Sequence, residues 1–394
     1  MIFFCVITIF LLRKNYSFLI SIPILLLPLF YFKYSYFIMN SFFPKSLIEF
    51  SYRGEIPLAI SFVTFTSIAV IIDRKNKANH EYKIDNISEY ILYFPQLIAG
   101  PILRLNQLFP QLSKKIVFSK ENIKFGILLF CIGYIKKVYF ADNIALLIDP
   151  FFDDPLSYNS YDLMKAFLLF PIQIYFDFSG YVDMALGISL IMGITLPQNF
   201  DKPYICKSLT DFWRRWHITL STWFRDYVYI PMGGSKKGKI KMYLNLIITM
   251  IVAGAWHGAS FNFILWGFLN GLILCMEKIF NFSEKKYSIF TNIFICFLIF
   301  NLWLIFRISD FEILFIFFDK FYSNFLTSLN FENLVILFFV IVLIFLQKFE
   351  NFENLKAISK KINFSFLIPF FIIIILVGVS ISLGQSEKFI YFQF

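Results

Sequence analysis

The chain has 394 residues, 58% of them hydrophobic, with a mean hydropathy of +0.69 and a net charge of +10. Soluble domains are about 45–50% apolar even with glycine counted, so no soluble core absorbs this much apolar surface and the chain reads as a membrane protein. Its lysines and arginines fall between apolar segments and form no basic domain, which speaks against nucleic-acid binding and leaves two readings of the charge: cations gathered on cytoplasmic loops, or a surface that attracts an anionic ligand.

The N-terminal run MIFFCVITIFLLRKN has no basic residue ahead of its apolar stretch, so it does not read as a signal peptide, and it is too short to span alone. It reads as the tail of a membrane helix whose basic end, Arg13 and Lys14, faces the cytoplasm. Apolar segments long enough to span follow at 16–38, 56–72, 122–148, 163–176, 179–197, 242–262, 263–280, 288–306, 331–347 and 364–383. Pro23 and Pro28 predict a kink in the first. Between the second and third, ISEYILYFPQLIAGPILRLNQLFPQL (87–112) carries Pro95, Gly100, Pro101 and Pro110. Such breakers predict a re-entrant or broken segment, tolerated at membrane depth only where it is buried in protein or lines a cavity. Lysine-rich connections punctuate the chain, and GGSKKGKIK (233–241) is the clearest cytoplasmic marker. The five cysteines are scattered without CxxC spacing, so neither a disulfide framework nor a zinc site is expected. The predicted fold class is all-α: a polytopic membrane protein of about ten transmembrane helices, with re-entrant and interfacial helices around a tunnel, in one domain over residues 1–394.

Polar groups inside apolar runs are the candidates for chemistry. QIYFDFSGYVDMALG (173–187) holds Asp177 and Asp183. Asp177 could orient a histidine or pair with an arginine, or be a structural ion pair or helix cap. In TDFWRRWHITLSTWFRDYVYIPMGG (210–234), winding at 100° per residue puts Phe212, Trp213, Trp216, Leu220, Trp223, Phe224 and Tyr227 on one face and Asp211, Arg214, Arg215, Thr222, Arg225 and Asp226 mostly on the other. That pattern predicts an amphipathic interfacial helix. His217 sits on its flank, as an interfacial side chain or one reaching into a cavity. His80, in a polar loop, reads as an ordinary solvated residue.

His257 differs from both. In IVAGAWHGASFNFILWGFLNG (251–271) it falls in a predicted span, and helix entry after Lys241 puts it roughly 20 Å deep in a hydrocarbon core about 30 Å thick. An ionisable group there is costly unless a partner, a water-filled cavity or a substrate meets it. Its small neighbours Gly254, Ala255, Gly258, Ala259 and Ser260 fit close helix packing or leave room for a tunnel. No GxSxG, HExxH, Walker A or GxGxxG motif is present. What remains is a buried histidine as general base, acting on an activated donor and an acceptor hydroxyl.

Several stretches together resemble the membrane-bound O-acyltransferases: YFPQLIAGPILR, YFDFSGYVDMALG, NFDKPYICKSLTDFWRRWHITLSTWFRDYVYIPMGGS, GAWHGASFNFILWG and the terminal FIYFQF. The branch they are most similar to contains the membrane subunits of bacterial alginate and peptidoglycan O-acetyltransferases, with teichoic-acid D-alanyl transfer proteins as cousins. The resemblance implies acyl transfer across the bacterial inner membrane, from a cytoplasmic donor such as acetyl-CoA to an envelope polysaccharide, with a separate extracytoplasmic partner. It places the essential histidine at His257 in AWHG and the second at His217 in RRWH. Arg214, Arg215, Asp177 and Trp256 become candidates for donor binding or support, and Tyr391 in FIYFQF for an acyl relay, against a plain aromatic belt. No bound cofactor or metal is expected. The resemblance also implies three departures: by the family's usual start one or two N-terminal helices are expected to be absent, Asn270 in WGFLNG stands where many relatives have histidine, and Val182 replaces the commoner serine. A transporter with a His257–Asp177 proton relay and a non-catalytic scaffold subunit are the readings from other classes.

Overall fold

The computed structural model describes residues 1–44, 48–49, 51–75, 87–97, 100–282 and 288–382. Among them every regular element is helical. Among the described residues, seven helices are long and apolar enough to cross a membrane: Phe18–Phe42, Ser160–Ile191, Lys239–His257, Phe261–Ile279, Ile289–Arg307, Phe331–Phe349 and Phe364–Ile381. The chain is a multi-pass all-α membrane protein.

The differences from the ten predicted spans have local causes. Segments 163–176 and 179–197 form one helix, Ser160–Ile191, of 32 residues. Asp177 does not interrupt it, because its carboxylate meets Lys137 Nζ at 2.6 Å. Segment 56–72 becomes the 16-residue helix Ile60–Lys75. Segment 122–148 runs as continuous helix from Lys120 to Asp153 through a π-helical turn, Ile135–Ala141. That wide turn carries two consecutive lysines into ion pairs: Lys136 to Asp183 and Glu350, Lys137 to Asp177 and Asp142. As the prolines and glycine predict, 87–112 is broken into the short helices Ile87–Ile91, Phe94–Leu97 and Leu105–Leu112.

The chain forms two compact units, Met1–Gly126 with Ala185–Pro197, and Ile127–Met184 with Gln198–Phe394. In the first, the broken segment is tied down by side-chain hydrogen bonds. Tyr93 donates to Ser189 Oγ at 2.9 Å, and the Gln111 amide bonds both backbone groups of Thr195 at 2.9 Å.

The second unit contains both candidate histidines. In it the helices Lys239–His257 and Phe261–Ile279 form a hairpin held close by small residues. A Cβ at Gly254 would overlap the Phe263 carbonyl oxygen, and one at Gly267 the Met250 carbonyl oxygen. Helices that meet backbone to backbone depend on such positions. Gly267→Val is therefore expected to destabilise the protein by about 3 kcal/mol through overpacking against backbone that cannot yield. A thermal melt in detergent, followed by tryptophan fluorescence, checks this; an unshifted transition would contradict it.

Candidate functional site

Helix Lys239–His257 ends at the histidine itself. Gly258 is extended and Ser260 caps the next helix, its hydroxyl accepting from the Asn262 N–H at 3.2 Å and donating to the Ser309 carbonyl at 2.6 Å. Asn262 Nδ2 donates to the Ile308 carbonyl at 2.5 Å. The predicted span 242–262 thus closes at 257, so His257 sits on the last helical turn and not inside a continuous helix. Its ring is buried, 7% exposed, in an aromatic pocket. The centroids of Trp256, Phe306 and Trp266 lie 4.9, 5.0 and 5.4 Å from it.

His217 owes its place to a break. The single amphipathic helix expected over 210–234 is two short helices, Leu209–Trp213 and Ile218–Phe224, the second continuing into a π-helical turn, Arg225–Tyr229. His217 lies between them with φ 42° and ψ 54°, a left-handed conformation uncommon outside glycine. The start of the first short helix and the break itself are both held from elsewhere in the chain. The buried Glu277 carboxylate takes the backbone N–H groups of Leu209 and Thr210, and the Thr210 hydroxyl at 2.7 Å. The Asn199 carbonyl accepts from the Ile218 N–H at 3.0 Å, and Asp201 N–H donates to the Arg215 carbonyl at 2.9 Å. The apolar face that suggested an interfacial helix packs on protein instead: Phe212, Trp216, Leu220, Trp223 and Phe224 are all buried.

The His217 ring is 1% exposed and stands edge-on to Phe178 at 4.7 Å. Burial pushes its imidazole down to about 3, so it is neutral at ordinary pH. Its Nδ1 lies 3.3 Å from Asn199 Oδ1, and Nε2 meets no hydrogen-bond partner among the described residues.

An unbroken run of rings joins the two histidines. From His217 it passes through Phe178, Phe200 at 5.1 Å and Trp216 at a further 5.1 Å, and Trp216 lies 4.9 Å from Trp303; Trp303 is 5.4 Å from Phe306 and 6.3 Å from Trp266, and both of those touch His257. Asn270 braces this wall. Its Oδ1 accepts from Trp213 Nε1 at 3.2 Å and its Nδ2 donates to the Trp266 carbonyl at 2.8 Å. Asn270 therefore orients the Trp213 ring, which stands edge-on to Trp266 at 5.6 Å.

The other candidates are distributed differently. Trp256 belongs to the His257 pocket. Arg215 is engaged by Asp211 at 3.0 Å and lies near Asp201, while Arg214 is exposed, as are Lys236, Lys237, Lys239 and Lys241. Asp177 forms an ion pair with Lys137. Tyr391 and His80 lie outside the described residues. Sequence reasoning missed Asn199, Trp303 and Glu277. Asn199 opens one of the stretches that carry the family resemblance but nothing singles it out there, Trp303 sits in an apolar run, and Glu277 lies near the end of the predicted span 263–280.

Comparison with known proteins adds an independent line. The family model for membrane-bound O-acyltransferases matches residues 26–317. A probable alginate O-acetylase AlgI of Pseudomonas syringae pv. tomato is 42% identical over 59% of this chain and 45% of its own length. The peptidoglycan O-acetyltransferase of Helicobacter pylori is 36% identical over 72% of this chain and 60% of its own. A teichoic acid D-alanyltransferase of Bacillus subtilis is 31% identical, over 62% and 63%. The chain spans about half the length of the curated relatives it matches.

Proposed function

The chain belongs to the membrane-bound O-acyltransferase family, and on that premise we propose that it moves an acetyl group from a cytoplasmic thioester across the bacterial inner membrane for O-acetylation of an envelope polysaccharide. One observation carries the reading: His257 is buried among aromatic rings at the far end of a membrane helix that starts in a lysine-rich loop. At 1.5 Å per residue, Lys239 and His257 are separated by about 27 Å along the axis. An anionic donor such as acetyl-CoA is attracted to the exposed lysines and Arg214 at one face, whereas the base serves an acceptor at the other.

The chemistry needs little more. His257 takes the proton of an acceptor hydroxyl as that oxygen attacks the acetyl carbonyl carbon. The new C–O bond forms, the C–S bond breaks, and the departing thiolate receives the proton from the imidazolium. A base at a helix C-terminus acquires its positive charge beside the negative end of the helix dipole, which favours that step. The rings of Trp216, Trp303 and Trp266 keep water from the thioester. His217, neutral and with Nε2 available, orients the donor or relays a proton.

Relatives named as O-acetylases or O-acetyltransferases match at 36–42% identity, and those named as D-alanyltransferases at 28–31%. That difference favours acetyl over D-alanyl. The acceptor is peptidoglycan or an alginate-like polymer, delivered by an extracytoplasmic partner. The test is ester-linked acetate released by mild base from both polymers, in wild type, a deletion strain and the complemented deletion. Acetate is expected to fall in one polymer and return on complementation. Unchanged acetate with a loss of D-alanine esters would replace this reading.

A further inference from the structure

His217 is held by one residue far from it in sequence. Asn199 Oδ1 receives the Thr219 backbone N–H at 3.0 Å, the Thr219 hydroxyl at 2.9 Å and His217 Nδ1 at 3.3 Å. The backbone N–H can only donate, so the amide orientation is fixed with oxygen toward the bend. An imidazole nitrogen facing that oxygen must carry the hydrogen, which leaves the lone pair on Nε2. The same oxygen caps helix Ile218–Phe224, whose N-cap residue, His217, makes no side-chain cap of its own.

We propose that Asn199 is a positioning residue that locks His217 as the Nδ1–H tautomer and presents its Nε2 as a hydrogen-bond acceptor inside the aromatic wall. The inference rests on the acyl-transfer reading only for what Nε2 accepts, namely an O–H or N–H group of donor or acceptor. It makes the left-handed bend purposeful: the bend puts the imidazole and the Thr219 backbone N–H and hydroxyl on one oxygen. Charged groups on the elements packed around the ring are Asp177 beside Phe178, Asp201 and Lys202 beside Asn199, and Asp211, Arg214 and Arg215 on its own stretch. None hydrogen-bonds or ion-pairs with it. Asn199 thus sets the proton position without competition from a charge.

Histidine labelled with ¹⁵N and ¹³C tests this in the full chain in lipid nanodiscs. Only His80, His217 and His257 report, and His80→Ala and His257→Gln assign the signals by elimination. His217 is expected to show a protonated Nδ1 and an unprotonated Nε2, unchanged from about pH 8 to about pH 5. Asn199→Asp keeps an acceptor for all three donors, so the bend survives, but adds a negative charge. In that variant His217 is expected to titrate within the same window, and the acid limb of acetyl transfer to move up by about 1–3 pH units. An Nε2–H tautomer in the wild type, or an Asn199→Asp spectrum and pH profile identical to wild type, would overturn the proposal. The tautomer is read without turnover, so it is judged separately from the acyl-transfer reaction.

Discussion

Replacing His257 by glutamine is expected to lower acetyl transfer by about 10²–10⁴-fold, the usual contribution of a positioned general base, or about 3–5 kcal/mol of barrier. Glutamine is the informative substitution because it keeps a polar side chain of similar volume among Trp256, Trp266 and Phe306. Alanine would leave a cavity in the aromatic pocket and mix a packing cost with the chemical one. The measurement pairs the initial rate of thioester-dependent transfer with a thermal melt of the same preparation. A large rate loss with a melt near wild type assigns proton transfer to His257. A wild-type rate would return the residue to packing and leave the bound thioester without a base. If rate and melting temperature fell together, the residue would be structural.

Much of this site was legible in the sequence because the strongest signal was energetic. An imidazole in an apolar run demands an explanation at any resolution, and that singled out His257 from its neighbours alone. The end of its helix was not legible, since Gly258, Ala259 and Ser260 suit a tightly packed helix as well as a turn. The 100° pattern of 210–234 was real, but a buried face and a lipid-facing face share the same periodicity. The break at His217 is held by Asn199, a loop residue 20 positions upstream of Thr219, and the start of the first short helix by Glu277, a carboxylate 67–68 residues downstream of Thr210 and Leu209. Local pattern carries no trace of such distant caps. Trp303 lay in an apolar run where lipid-facing and protein-facing aromatics look alike. Asp177 and Asp183 were visible as buried carboxylates, yet their partners were not assigned, because Lys136 and Lys137 read as part of an ordinary span.

Those lysines support the second large prediction. Lys136 Nζ meets Asp183 Oδ2 at 2.9 Å and also the Glu350 carboxylate, whose other oxygen accepts from the Tyr175 hydroxyl at 2.7 Å. Three distant segments, 135–141, 160–191 and the turn after 331–349, converge on one ammonium group. Lys136→Met removes the cation and leaves two carboxylates facing each other in poorly solvated surroundings. Breaking a buried ion pair from one side costs about 3–5 kcal/mol, because the remaining charge is uncompensated. That is a large fraction of a typical folding free energy, so the variant is expected to lose most of its folded yield in detergent. Lys165 is a contrast, since its nearer partner Glu332 is 61% exposed and its other, Asp162, lies 3.4 Å away one turn back on the same helix; Lys165→Ala is expected to cost under about 1 kcal/mol. Size-exclusion profiles and melts of both variants separate the two cases. Neutralising the whole cluster, with Lys136→Met, Asp183→Asn and Glu350→Gln together, is expected to recover most of the loss, because the desolvation penalty disappears with the charges. Failure of that triple variant to recover would show that the hydrogen-bond geometry around Tyr175, and not the charge balance, holds these segments together.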